Sequence, residues 1–172
     1  GVGLAAVILG RGMGARVVAV DVVPEKLNLA LRLGAEAAVD ARRGRAAEEV
    51  RVATGGGAHV AIDALGRPET ANASIRSLRP LGRHLQVGMP TAHEARMEID
   101  MMAVYAGQLS LIGTRGMPAW RFPPLLGLIA AGGLDLSPLV SREIALSGVS
   151  AELAAMDGAT PPGAAVVTDF RG

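Results

Sequence analysis

The sequence predicts a doubly wound α/β fold, in which helices cover both faces of a parallel sheet. Short β-branched runs alternate with helical periodicity along residues 2–113, and strands joined by helices of about ten residues form right-handed parallel crossovers. Half of the 172 residues are hydrophobic and only 2% are aromatic. The core therefore has to be built from Ala, Val, Leu and Ile, which suits parallel strands buried on both faces.

Each element follows from periodicity and from the residues that start and stop it. A largely apolar helix is expected over 2–15, a β-branched strand over 16–21, and a helix over 24–33 with Pro24 in its first turn and Gly34 as its stop. The other elements of this part are the strands 37–39, 59–64, 83–87 and 109–113 and the helices 45–53, 69–78 and 101–106. Strand and helix thus alternate up to residue 113.

The regular alternation stops after Gly113. The elements expected beyond it are a helix over 121–131, a strand over 142–146, a helix near 151–156 and a strand over 164–170. We place a domain boundary between Gly133 and Pro138, which gives a first domain over 1–136 and a C-terminal segment over 137–172. That segment is too small for a core of its own, so it is expected to pack against another part of the protein.

Composition excludes several classes of function. The net charge is +1, and the arginines are scattered among acids, so there is no basic patch for nucleic acid. The absence of cysteine excludes disulfides, thiolate catalysis and Cys-ligated zinc within these residues. The apolar stretches 1–10 and 125–134 are too short and too rich in glycine to span a bilayer. A cytoplasmic protein with no nucleic-acid or membrane partner is expected.

The first residues match the end of a dinucleotide-binding fingerprint. That motif is a strand, then G-x-G-x-x-G opening a helix, then a second strand that ends in an acid. Gly1, Val2 and Gly3 stand at its last positions, and Asp21 ends the next strand; the first strand and the earlier glycines are absent. The N-terminus of such a helix offers free N–H groups and a positive dipole end to phosphates. The sequence therefore predicts a dinucleotide site.

Asp21 favours NAD over NADP. A carboxylate there would accept hydrogen bonds from the ribose hydroxyls, worth about 1.5–3 kcal/mol. A 2′-phosphate roughly 4 Å away would instead meet like charge, at a cost of about 4 kcal/mol for an effective dielectric near 20. Val22 and Val23 supply no arginine that would reverse this preference. An acid before Pro24 is also common as a turn or cap residue, and both interpretations can hold together.

Five stretches resemble the zinc-type medium-chain alcohol dehydrogenases, in that family's order. They are GVGLAAVILGRGMGARVVAVDVVPEKLNLALRLGA, GGGAHVAIDALGRPET, LRPLGRHLQVGMP, LIGTRGMP and LIAAGGLDLSPLV. The resemblance implies an NAD-binding Rossmann domain inserted into a catalytic domain, to which residues 137–172 return. It implies hydride transfer between an alcohol and its aldehyde or ketone, with zinc only in a catalytic half that these residues do not include.

The resemblance also implies which residues bind the coenzyme. Gly1, Val2 and Gly3 correspond to the end of the Gly-rich loop and Asp21 to the ribose acid, while Lys26 lies near the adenosine ribose or is a solvated first-turn lysine. Further implied contacts are Ala64, Leu65 and Gly66 beside the adenine, Val87, Gly88 and Met89 at the nicotinamide end, and Thr114 and Arg115 bordering the nicotinamide. Ordinary turns at strand ends are the alternative for the last three groups.

The histidines do not form a catalytic or metal-binding pattern. His59 and His84 begin strands and His93 lies in a loop, with no histidine four residues away and no cysteine. Each is expected to be structural or solvated. The sequence also has no nucleophile elbow for Ser-His-Asp chemistry. No catalytic residue and no metal ligand is therefore assigned to this chain.

Three other functions remain open. A zinc-free quinone or enoyl reductase of the same superfamily would usually use NADPH, and Asp21 and the LDLSPLV stretch speak against it. A non-catalytic nucleotide-sensing module, such as a channel ligand-binding domain, would not explain residues 137–172. A Rossmann-like methyltransferase would use its acid for a different cofactor.

Two expectations follow from the strand order 3-2-1-4-5-6 of the doubly wound fold. Without strand 1, the strands 16–21 and 59–64 lack the partner between them, so we expect a piece of a longer polypeptide that alone binds NAD feebly and has no dehydrogenase activity. The strand 109–113 would form an apolar sheet edge. Such edges pair across a dimer in the resembled family, which implies a homo-oligomer.

Overall fold

The computed structural model describes residues 1–91, 95–156 and 162–171. Its first five strands are β1 (Val18–Asp21), β2 (Ala37–Asp40), β3 (Ala58–Asp63), β4 (Leu78–Gln86) and β5 (Ser110–Gly113). β1 pairs with β2, and β4 lies between β3 and β5 in a second sheet. Every one of these pairings is parallel, which confirms the predicted α/β class.

Helices connect and cover these strands. The described ranges contain α1 (Val2–Gly12), α2 (Pro24–Arg32), α3 (Ala46–Ala53), α4 (Pro68–Arg76), α5 (Met101–Gly107), α6 (Phe122–Ala130) and α7 (Val149–Ala155). α1 buries Leu4, Val7 and Ile8, whose spacing places them on one helix face. α2 starts with Pro24 in its first turn and is followed by Gly34 at φ +103°, as its sequence predicts.

Helix α1 is shorter than predicted. The expected range was 2–15, but the helix ends at Gly12, and Gly14 adopts φ +79°. A left-handed glycine ends a helix at little cost because it has no Cβ. The chain therefore turns before β1, which begins at Val18 rather than at residue 16.

Strand β4 is longer than predicted, which is the second difference between the predicted and the observed elements. The expected strand 83–87 begins at Leu78, and the expected helix 69–78 ends at Arg76. Pro80 and Gly82 favour a turn in the sequence, and the register does shift there, between the pairs Ala58–Leu78 and Val60–Arg83. Pairing with β3 nevertheless holds Leu78 in the strand, and its side chain is buried.

The largest hydrophobic core lies around α1. Leu4, Val7 and Ile8 pack with Ala30 of α2, and this cluster also contains Leu33, Ala35 and Leu134. A smaller cluster under α3 consists of Val39, Ala46 and Val50. Both clusters lack aromatic side chains, as the composition predicts. The larger cluster packs α1 and α2 against the first sheet, beside which the expected coenzyme contacts Asp21 and Lys26 lie.

The first two sheets are not joined to each other within the described ranges. Within the described ranges β1 has β2 as its only strand neighbour, and β3 has β4 as its only one. The exposed fractions of Val20 (44%), Val60 (39%) and Ile62 (42%) are large for apolar residues in the middle of strands. This agrees with the expectation that these two strands lack a partner between them.

The last elements form a small unit of their own. β6 (Val140–Ala145) pairs in parallel with β7 (Ala164–Asp169), and neither joins the other sheets within the described ranges.

Apart from α1 and β4, each predicted element differs from its expected range by no more than two residues at either end. In the described part of the chain, no helix is long and apolar enough to cross a membrane.

Candidate coenzyme-binding site

The expected contacts lie at the carboxyl ends of the parallel strands, which is the edge where doubly wound sheets bind ligands. Asp21 is the last residue of β1, residues 64–66 follow β3, and residues 87–89 follow β4. α1 begins at the same edge, because a Cβ placed on Gly3 would lie 3.8 Å from the Cβ of Ala64. The fold thus brings the glycine remnant next to the end of β3.

The N-terminus of α1 has free hydrogen-bond donors. The first intrahelical bond runs from the Ala5 N–H to the Gly1 carbonyl at 3.1 Å, and no side chain caps the helix. The N–H groups of the preceding residues therefore have no intrahelical acceptor. Gly1, Val2 and Gly3 are exposed, and a Cβ on Gly1 would meet nothing within 4 Å. The arrangement suits an anion.

The Asp21 carboxylate is held in one orientation. Its Oδ1 accepts hydrogen bonds from the backbone N–H groups of Val22 at 2.8 Å and Val23 at 3.0 Å. No residue in the described ranges donates to its Oδ2. Both sequence interpretations of Asp21 are therefore compatible with the structure, since one oxygen forms the turn before α2 and the other can accept a hydroxyl.

A second carboxylate, that of Asp40, lies next to Asp21 and is neutralised by an ion pair with Arg42. Asp40 is the register partner of Asp21 on β2 and forms an ion pair with Arg42, with Nη2 to Oδ2 at 2.6 Å and Nε to Oδ1 at 2.9 Å. The hydrogen bonds from Arg42 lower the pKa of the Asp40 carboxyl to about 2. Arg42 is thus already bound to a carboxylate. Lys26, in the first turn of α2, has no side-chain hydrogen bond or ion pair with any described residue.

The loops after β3 and β4 contact each other through their backbones. A Cβ on Gly66 would lie 2.5 Å from the Met89 carbonyl oxygen, and a Cβ on Gly88 would overlap the backbone of Leu65 and Gly66. Gly66 also adopts φ +94°, which favours glycine. Ala64, Leu65 and Gly66 therefore form one surface with Val87, Gly88 and Met89, and the side chains of Leu65 and Met89 are exposed.

Thr114 and Arg115 lie at the same edge, beside the end of β4. The Thr114 N–H donates to the Gln86 carbonyl at 3.1 Å, and both residues are exposed. The structure thus brings the residues after β3, β4 and β5 together. Asp21 ends β1 of the first sheet and Lys26 lies in α2, and no hydrogen bond in the described ranges joins their side chains to those loops.

Two residues that support these loops were not singled out in the sequence. Asp63 is 3% exposed, and its Oδ1 accepts hydrogen bonds from the N–H groups of Leu65 at 2.9 Å and Gly66 at 3.1 Å. Gln86 donates from Nε2 to Asp63 Oδ2 and to the Gly88 carbonyl, each at 2.8 Å. The sequence feature that could have indicated Asp63 is an acid at the end of an apolar strand, directly before a turn containing glycine.

The described histidines have structural neighbours. His59 Nε2 lies 2.7 Å from Arg79 Nη1, and His84 is 3% exposed and hydrogen-bonded to Ser74 and Gln86. His93 lies outside the described residues. Among the residues that the structure describes, no group of three or more histidine or carboxylate side chains is placed to hold a metal ion.

Comparison with known proteins identifies one family. A family model described as zinc-binding dehydrogenase matches residues 1–131. The L-threonine 3-dehydrogenase of Saccharopolyspora erythraea is 32% identical over 143 residues, which cover 82% of this chain and 41% of that protein. The chain spans less than half the length of the curated relatives that it matches.

Solved structures give the same result. An alcohol dehydrogenase zinc-binding domain protein from Burkholderia ambifaria superposes with a TM-score of 0.80 at 29% identity, covering 91% of this chain and 43% of that one. The benzyl alcohol dehydrogenase of Acinetobacter calcoaceticus gives 0.82 at 26% identity, covering 97% of this chain and 47% of that one.

Proposed function

Because the chain belongs to the zinc-binding dehydrogenase family, we propose that it is the coenzyme-binding part of an NAD-dependent enzyme that transfers hydride between an alcohol and its aldehyde or ketone. The observation that carries the choice of coenzyme is the Asp21 carboxylate at the end of β1, with one oxygen held by the backbone and the other accepting nothing from the described residues. NAD would accept the hydride, and this chain would bind and orient the coenzyme.

The proposed binding mode follows the carboxyl edge of the strands. The N–H groups of Gly1, Val2 and Gly3 face the pyrophosphate, and Asp21 accepts from the adenosine ribose with Lys26 beside it. Ala64, Leu65 and Gly66 border the adenine. Val87, Gly88 and Met89 border the nicotinamide end together with Thr114 and Arg115. The exposed, mutually packed loops after β3 and β4 support this arrangement.

Electrostatics support NAD over NADP. Asp21 would face a 2′-phosphate with like charge. The nearby Arg42 is paired with Asp40, whose pKa of about 2 keeps its carboxylate ionised at neutral pH. Arg42 would therefore have to give up this ion pair in order to bind a 2′-phosphate.

The proposal is tested by measuring NADH, NADPH and S-adenosylmethionine binding side by side on the full-length gene product that contains these residues. We expect NADH to bind at least about tenfold more tightly than NADPH, because one charge-assisted hydrogen bond is worth at least about 1.5 kcal/mol. Preference for NADPH would favour a zinc-free reductase of the same superfamily. Binding of S-adenosylmethionine alone, or of none of the three, would overturn the proposal.

We propose that residues 137–172 contact a catalytic domain, separate from the coenzyme domain 1–136. Side chains of Leu146, Leu153 and Phe170 are exposed to 49%, 60% and 69%. Large apolar groups left exposed close together in a two-stranded unit mark an interaction surface. The zinc of the family would then be bound by that catalytic domain.

We propose that β5 forms a homo-oligomer by pairing with a second copy of itself. All four of its residues, including Leu111 and Ile112, are exposed, and β4 is its only strand neighbour in the described part of the chain. The N–H of Thr114 points to β4. Because N–H groups alternate in direction along a strand, the N–H of Leu111 points to the open edge.

Replacing Leu111 with proline is therefore expected to dissociate the oligomer. Proline removes the outward N–H needed for pairing between copies, while the bonds to β4 remain. Light scattering of the full-length protein should give the oligomer mass for wild type and for a Leu111→Val control, and a lower mass for Leu111→Pro. A wild-type protein that stays monomeric at high concentration would contradict the proposal.

A further inference from the structure

A chain of side-chain hydrogen bonds connects α4 and β4 to the end of β3. Ser74 Oγ lies 2.9 Å from His84 Nδ1, and His84 Nε2 lies 3.1 Å from Gln86 Oε1. Gln86 Nε2 then donates to Asp63 Oδ2 at 2.8 Å. We call these four residues the relay. Its two ends differ, because Ser74 belongs to α4 and the Asp63 carboxylate bonds directly to the backbone of the loop after β3.

With a neutral His84 ring, only one assignment of hydrogen-bond donors and acceptors fits the relay. Gln86 Nε2 lies between Asp63 Oδ2 and the Gly88 carbonyl oxygen, which are both acceptors, so this position must hold the amide nitrogen. Gln86 Oε1 therefore faces His84, and His84 Nε2 carries the hydrogen. His84 Nδ1 then accepts from the Ser74 hydroxyl. Each group of the relay is oriented by its neighbour.

Asp63 has no cationic partner within the described ranges, although it is nearly completely buried. It is satisfied by neutral donors: the N–H groups of Leu65 and Gly66, the Thr70 hydroxyl at 3.0 Å and the Gln86 amide. A buried carboxylate without a counter-ion is costly unless hydrogen bonds replace its water. Moving the loop after β3 would remove two of these bonds, so the carboxylate holds that loop in place.

The relay bonds to both loops, through a different residue in each case. The Asp63 carboxylate bonds to the backbone of Leu65 and Gly66, whereas the Gln86 side chain bonds to the carbonyl of Gly88. The N–H of Gly88 is held separately, by the main-chain carbonyl of Asp63 at 2.8 Å. We propose that Asp63 and Gln86 are positioning residues, Asp63 for the loop that borders the adenine and Gln86 for the loop that borders the nicotinamide. This rests on the proposed function. It predicts that Gln86 affects the nicotinamide half of the coenzyme selectively.

The test compares two ligands on the full-length gene product. NADH contains the nicotinamide half, and ADP-ribose lacks the nicotinamide ring while keeping the adenosine and both phosphates. A Gln86→Met variant keeps the size of the side chain but loses the amide that holds Gly88. We expect it to weaken NADH binding about tenfold, as for one unsatisfied buried group, and ADP-ribose binding by no more than about twofold. An Asp63→Asn variant should weaken both ligands.

A control separates positioning from loss of stability. Val50 is buried in the small cluster under α3, and the Val50→Ala variant should lower the melting temperature without changing the ratio of the two dissociation constants. If Gln86→Met does not fold, Ser74→Ala removes only the outermost bond of the relay. It should weaken NADH alone, by about threefold.

The outcomes distinguish the two proposals. Equal weakening of both ligands by Gln86→Met, or no change in either, would overturn the positioning role while NAD binding by the wild type stands. A wild-type protein that binds neither ligand would overturn the proposed function itself and the role of the relay with it.

Discussion

Replacing Gly88 with alanine is expected to destabilise the folded protein by about 3 kcal/mol or more and to abolish NADH binding. The added Cβ would overlap the backbone of Leu65 and Gly66. Backbone atoms cannot rotate away as a side chain does, so the loops after β3 and β4 would have to separate. That movement would also break the bond between Gln86 and the Gly88 carbonyl.

The effect is measured as the melting temperature and the NADH dissociation constant of the full-length protein. A loss of about 3 kcal/mol corresponds to a decrease of roughly 10 °C for a domain of this size. Gly127→Ala is the matched control, because a Cβ on Gly127 in α6 would meet nothing within 4 Å. It should leave binding unchanged and stabilise the helix by up to about 1 kcal/mol. A Gly88→Ala protein with wild-type stability would show that the two loops are not in contact.

The positions of the candidate-site residues in the strands and turns could be predicted where local rules apply. Asp21 could be placed at the end of a strand because the run RVVAVD has strand character and Pro24 starts the next helix. Glycines at the ends of β3 and β4 could likewise be assigned to turns. These features depend on a few neighbouring residues, and each was found within two residues of its predicted position.

The supporting contacts could not be predicted because they join residues far apart in the sequence. Gln86 bonds to Asp63 across 23 positions, and nothing in the residues around Gln86 indicates this partner. The overlap between Gly66 and Gly88 is also visible only when two loops from adjacent strands are placed side by side. The predicted start of β4 was wrong for a related reason. Pro80 and Gly82 favour a turn, but pairing with Ala58 places Leu78 in the strand.

Replacing Asp21 with serine is expected to change the coenzyme preference. The variant loses a charge-assisted bond to the ribose, worth about 1.5–3 kcal/mol, so NADH should bind about tenfold to a hundredfold more weakly. It also removes a repulsion of up to about 4 kcal/mol from the 2′-phosphate of NADPH. Solvent around the half-buried side chain reduces that second effect. The ratio of the NADPH and NADH dissociation constants should therefore decrease by at least about tenfold.

Asp135 provides a matched control for the role of Asp21 in its turn. Its Oδ1 accepts the N–H of Ser137 at 2.9 Å, just as Asp21 accepts the N–H of Val23 at 3.0 Å. Asp135→Ser thus alters the same kind of turn at a position away from the coenzyme loops, and it should leave the ratio of dissociation constants unchanged. If Asp21→Ser also leaves that ratio unchanged, Asp21 acts only as the turn residue before α2. The choice of NAD would then depend on other residues.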